Sequence, residues 1–267
     1  TTLAAAIKFS DAGANPAAIQ DTVDNFRAAV GAPNNRNAVG PLSGGRREVN
    51  WDGAPGPAAP ANIPPDLFNR IVPRGIVYDS PGSGFQVSGA DGNPANVAPT
   101  EEFGNINPTY PNIFQTFSAE KLFTTLDSNV SGVNFFIPGT TTPATVAGFG
   151  AVFTDVDLPE TTKIEYFDAA NNLLFSDFVT PSNEGLSFLG VLFDAGERVA
   201  RVQITSGNAP LSATNFDGGN VDVVALDDFI YSEPSTVPEP STVLGLLLGG
   251  ILPLFGWTKR RRGQNAS

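Results

Sequence analysis

One short run of the chain concentrates chemically able side chains: Gly45-Arg46-Arg47-Glu48-Val49-Asn50-Trp51-Asp52-Gly53. Arg46 and Arg47 offer guanidinium forks, Glu48 and Asp52 offer carboxylates, and Trp51 offers an indole face. Together they can bind a sugar by stacking and bidentate hydrogen bonds. The same residues equally suit a structural plug, with Trp51 buried and Arg47 paired to Asp52 or Glu48. A second group is acidic: Asp222, Asp227 and Asp228, in a run ending Ala225-Leu226-Asp227-Asp228-Phe229-Ile230-Tyr231. Strand alternation points one of Asp227 and Asp228 inward. A buried carboxylate needs a cation or hydrogen-bond donors, and backbone donors can suffice. Asp155 and Asp157 share a strand face by spacing and pose the same question. Paired carboxylates for glycoside hydrolysis are a third chemistry, with Glu48, Glu101, Glu102, Glu165 and Glu184 available. None of the five has a distinguishing context, and among so many acids some pair falls at ~5–10 Å by chance. We therefore expect no catalytic residue and a non-enzymatic protein, the alternative being a carbohydrate-active enzyme or lectin-like binder that uses a jelly-roll face.

Composition narrows the field further. The 267 residues contain no His, Cys or Met. That excludes Ser-His-Asp and Cys-His catalysis, disulfides and nearly all zinc sites. The net charge is −12, and four of the 15 basic residues lie at 259–262. Residues 1–232 hold 11 Lys and Arg against 25 Asp and Glu, a balance of −14. Such a surface repels phosphates, so nucleic acid is not an expected partner. Lacking an initiator Met, and starting Thr1-Thr2-Leu3-Ala4-Ala5-Ala6, the chain is expected to begin near a mature N-terminus, its signal peptide removed.

These groups need elements to hold them. Residues 15–30 have the pattern of a helix: Asn15 at the cap, Pro16 at the first position, Gly31 at the stop, and an apolar stripe of Ile19, Val23, Phe26 and Val30. Residues 31–66 are rich in Pro, Gly, Ala and Asn, and are expected to pack irregularly on the rest. Leu67–Val72 suits a short helix or turn. From Gly75 the pattern is β. Strands are expected at 75–79, 84–89, 113–118, 130–137, 147–156, 162–168, 173–179, 186–193, 198–205 and 221–231, separated by turn signals. Helical spacers between them are lacking, so the expected fold is mainly β: an antiparallel two-sheet sandwich of jelly-roll type over 67–232, with one N-terminal helix. Residues 233–240 have the composition of a stiff linker.

The chain ends in an apolar run, Thr242 to Trp257, followed by Lys259-Arg260-Arg261-Arg262. At 16 residues it is close to the lower limit of about 17 for a membrane span. With its flanks, 241–262 is expected to form a C-terminal transmembrane helix. The basic cluster acts as a membrane stop held on the cytoplasmic side, and the body lies outside. Hydropathy alone is satisfied by a plain anchor. The order of Val237-Pro238-Glu239-Pro240, a glycine-rich apolar stretch and a terminal Arg cluster resembles the PEP-CTERM sorting signal of exported bacterial proteins. That resemblance implies processing near Pro240 by an exosortase-like transpeptidase, release to the cell surface or matrix, and association with exopolysaccharide and biofilm systems. The runs at 45–53, 103–110, 148–157 and 225–231 resemble a group of exported bacterial proteins sharing this tail, for which no activity is implied. The acidic ending at 221–231 also looks like the last strand of carbohydrate-binding jelly rolls. That likeness implies a structural calcium at Asp227 or Asp228.

Overall fold

The computed structural model describes residues 6–52, 54, 63–89 and 101–236. Within them the chain enters through β1 (Ala6–Gly13) and turns directly into α1 (Pro16–Val30). β2 (Arg46–Val49), β3 (Ile76–Asp79), β4 (Gly84–Val87), β5 (Phe123–Leu126), β6 (Val130–Phe135) and β7 (Ala144–Thr145) follow. Then come β8 (Gly148–Val156), β9 (Lys163–Phe167), β10 (Leu173–Phe178), β11 (Ser182–Phe193), β12 (Arg201–Thr205), β13 (Ala225–Ser232) and β14 (Ser235–Thr236). The protein is mainly β, its named strands pair antiparallel, and its one described α-helix is N-terminal.

Seven strands form one sheet in the order β1-β11-β8-β13-β5-β4, with β2 also paired to β13. Five form a second sheet, β10-β9-β12-β6-β3. Phe149, Phe153, Leu189, Phe229 and Tyr231 from the first share one apolar core with Val133, Phe135, Ile164, Tyr166 and Val202 from the second. Along β12, Val202 and Ile204 enter this core and Arg201 and Gln203 stay partly exposed, while Val199, just before the strand, is buried in the core as well.

The helix makes a third layer. Ile19, Val23, Phe26 and Val30 pack on the opposite face of the seven-stranded sheet, against Val152, Leu186, Phe188 and Ile230. The Phe26 ring reaches the sheet because β8 and β11 carry glycines there. A Cβ added at Gly150 or Gly190 would lie 2.8 or 2.9 Å from that ring. Covered on both faces, β8 is buried along its whole length.

Several elements differ from the sequence pattern. β1 was not anticipated, yet it pairs with β11 from Ala6↔Phe193 to Gly13↔Leu186. The segment 31–66 contains β2, which pairs with β13 from Arg46↔Ser232 to Val49↔Phe229. The strand expected at 113–118 is not formed. The Gln115 N–H donates to Thr154 Oγ1 and the Phe117 and Ser118 N–H groups donate to Asp227, so side chains take the donors a ladder would need. Residues 233–236, counted with the linker, belong to the body. Glu233 is buried, and β14 pairs with β7. The remainder of the linker, the sorting motif Val237–Pro240, the apolar segment and Lys259–Arg262 lie outside the described residues. Among the described residues, no helix is long and apolar enough to cross a membrane.

Candidate functional site

Arg47 and Trp51 are both fully buried. Arg47 donates to the two Glu233 oxygens at 2.7 Å each, and to the carbonyls of Arg36, Ala38 and Pro73 at 2.7 to 3.0 Å. Its partner is thus Glu233, neither Asp52 nor Glu48. Trp51 stacks on Phe123 at 4.1 Å and 7°, and its Nε1 donates to the Asp227 carbonyl at 2.7 Å. Neither residue presents a face to a ligand, and the plug geometry describes both. Asp52 accepts from Asn50 Nδ2 and the Glu120 N–H, and burial raises its pKa. Arg46 turns toward Glu48 (2.7 Å) and the Gly31 carbonyl (3.3 Å).

Asp227 and Asp228 are both buried, where simple alternation points only one inward. The reason is a register shift: Leu226 opposes Phe153 and Phe229 opposes Ala151, so one extra residue is accommodated on β13. Such a bulge re-aims side chains. Asp227 accepts the N–H groups of Phe117 (2.6 Å) and Ser118 (3.3 Å). Asp228 accepts Ser118 Oγ–H (2.6 Å) and Arg27 Nη2–H (3.1 Å). These donors, the Arg27 guanidinium among them, meet the demand of burial. Burial, reinforced by the adjacent Asp228, pushes the Asp227 carboxyl well above the usual range. Burial also raises Asp228 to about 6, against the pull of Ser118 and Arg27.

Arg27 reaches from α1 to bridge Asp228 and Glu48, the latter at 3.2 Å. Beside this bridge opens a polar cleft of about 390 Å³ whose lining includes Arg27, Arg36, Arg74, Glu48, Asn50 and Asp228. Three guanidiniums at one cleft are notable on so acidic a body. Sequence spacing offered no sign of it, because α1, the loop after it and the loop before β3 each contribute one arginine.

A second constellation forms at the far end of β8. Asp155, Asp157 and Asp217 each place a carboxylate oxygen within 4.8 Å of the others. Asp155 is fully buried and has a φ of 67°. It sits where β11 bulges, between the Val156↔Ser182 and Thr154↔Leu186 pairs, and its Oδ1 accepts the Glu184 N–H at 2.8 Å. Its Oδ2 has no hydrogen-bond partner. Asp217 stands on the loop before β13 and accepts the Val223 N–H at 3.2 Å. Burial raises Asp155 to about 8, with Asp217 and Asp157 adding repulsion. Burial likewise raises Asp217 to about 6, with Asp157 adding to it. The sequence pattern marked Asp155 and Asp157. Asp217, 60 residues on, carried no signal. Asp222 lies alongside, fully buried, accepting the N–H groups of Asp157 and Leu158 and the Thr161 hydroxyl.

The remaining acids stay dispersed. Glu165 on β9 faces Lys163 and Gln203. Glu184 lies in the β11 bulge, and Glu101 follows a stretch outside the described residues, bridged to Gly89, with Glu102 next to it. No known protein-family model matches the chain, and no curated protein matches it in sequence.

Proposed function

We propose that this is an exported, non-enzymatic cell-envelope protein, delivered by an exosortase-like transpeptidase acting on its tail, whose body binds an acidic exopolysaccharide. One observation carries the reading. The last described strand, β14, ends at Thr236, and Val237-Pro238-Glu239-Pro240 comes next in the sequence. Cleavage near Pro240 would leave every described strand intact. The prolines deny the site regular hydrogen bonding and favour an extended chain, the form in which a processing enzyme takes its substrate. The two antiparallel sheets are, on this reading, a sandwich of jelly-roll type, a scaffold that suits glycan binding. Mass spectrometry of the mature protein is the test. Loss of the residues after about Pro240 is expected, and an intact Arg260-Arg261-Arg262 end in mature material overturns the processing step.

The glycan class follows from the cleft. Its lining is polar, and beside Arg27, which is held by Glu48 and Asp228, it carries Arg36 and Arg74, which match carboxylate or sulfate groups on a polysaccharide. Catalysis is disfavoured because Glu48 and Asp228 are both tied to Arg27. A glycan array with the purified full chain should show retention of uronate-containing polymers. Arg36→Ala together with Arg74→Ala should abolish it, and unchanged binding by that pair rejects the cleft.

A further inference from the structure

We propose that Asp155, Asp157 and Asp217 together bind one calcium ion at the end of β8, a site separate from the Arg-lined cleft. Calcium holds oxygens at about 2.3–2.6 Å, so two ligands on one ion are at most ~5 Å apart. The three carboxylates, with ligand atoms within 4.8 Å of one another, meet that limit together.

The buried oxygen points the same way. Asp155 is fully enclosed, its Oδ2 has no donor, and none of the ion pairs among the described residues involves Asp155, Asp157 or Asp217. An unpartnered carboxylate oxygen in the interior is costly, and a second and third carboxylate beside it raise that cost. A divalent cation answers both. Asp227 and Asp228 form the contrast: equally buried, they are met by Phe117, Ser118 and Arg27.

The donor set selects the ion. It is all oxygen, and the protein has no His or Cys, so a hard cation is required. Magnesium keeps several waters and near-octahedral geometry, whereas calcium takes clustered carboxylates and amide oxygens in flexible arrangements. The Asn183 amide lies against Asp157. With its nitrogen inward it donates to Asp157 at 2.8 and 3.2 Å; turned over, it offers its oxygen instead. The ion would join β8, the bulge of β11 and the loop carrying Asp217, adding to the ties that the Glu184 N–H makes to Asp155 and that Asp157, Leu158 and Thr161 make to Asp222.

The test uses the purified full chain, stripped with a chelator and titrated with calcium chloride by calorimetry and thermal melting. Saturable binding is expected, with a rise in melting temperature of about 5–10 °C at calcium ~100-fold above the dissociation constant. Magnesium should give a smaller rise. Asp217→Asn should weaken calcium binding at least about tenfold. It should also melt above the wild type in chelator, where repulsion is relieved, and below it in calcium. Asp157→Asn should repeat this crossing, which guards against one variant misfolding, and Asp227→Asn should keep the calcium response. Equal melts with and without calcium overturn the proposal. So does an Asp217→Asn chain that gains stability in chelator yet binds calcium as tightly as the wild type, the behaviour of a trio that merely shares protons.

Discussion

Arg47 and Glu233 lie 186 residues apart in sequence and meet through two parallel 2.7 Å hydrogen bonds, with side chains 0% and 3% exposed. Asn35 Nδ2 adds a third donor to Glu233 at 2.8 Å, and the backbone N–H of Leu42 a fourth at 3.4 Å. The pair fastens the loop after α1 to the end of β13.

Removing Glu233 leaves a buried guanidinium without its counter-charge. Glu233→Ala should cost about 3–5 kcal/mol, measured by denaturant unfolding, and Glu233→Gln less. A chain ended after Ser232 should therefore melt well below one ended after Thr236. Equal melting of the two truncations would show that the pair contributes nothing net.

Trp51 is the next most constrained side chain. Trp51→Ala should cost about 3–5 kcal/mol through lost packing against Phe68, Phe123 and Phe229. In a Trp257→Phe background, Trp51 fluorescence should resist soluble quenchers and stay unchanged when polysaccharide binds. Quenching by added glycan would place the indole at a binding face and contradict its burial.

The Asp227–Asp228 pair makes stability depend on pH with a definite sign. Both carboxyls are raised in the folded protein, Asp228 to about 6. A raised carboxyl favours folding below its unfolded pKa of about 4, and that contribution is lost as pH climbs through the folded value. The pair's stabilisation should thus fall as pH rises above about 4, with the Asp228 part lost through about pH 6. Arg27 and Ser118 soften the fall by favouring ionised Asp228, and Glu48 opposes them. Asp227→Asn puts an amide where the retained proton sits. It should flatten the decline and melt above the wild type at pH 8; parallel melting profiles would refute the assignment.

Local pattern foretold the parts of this fold that local pattern controls. Pro16 and the Ile19–Val30 stripe defined α1, and alternation around Val202 and Ile204 defined β12 and its inward face. The run Ile113-Phe114-Gln115-Thr116-Phe117 had similar signals and misled, because Thr154 and Asp227 capture its backbone donors. β1 escaped notice because Ala4-Ala5-Ala6 resembles the leading end of an unstructured terminus, whereas its ladder is provided by β11 nearly 180 residues later. The candidate sites follow the same division. Asp155 and Asp157 were visible as a spaced pair. Asp217, the Arg36–Arg74 cleft and the Arg47–Glu233 bond depend on which loops the sheets bring together, and no local spacing encodes that.

The position of β13 has a mechanical consequence. It pairs with β8 along one edge and with β2 and β5 along the other, and the chain leaves it through Glu233 toward β14. Ladder hydrogen bonds run perpendicular to the strands. Traction on Thr236 first meets the short β14–β7 pair and the 2.5 Å bond from Arg198 to Ser235. Beyond these it pulls along the axis of β13, so the rungs on both edges are loaded together in shear instead of unzipping singly. A body held by this end resists drag with an interior strand of its largest sheet.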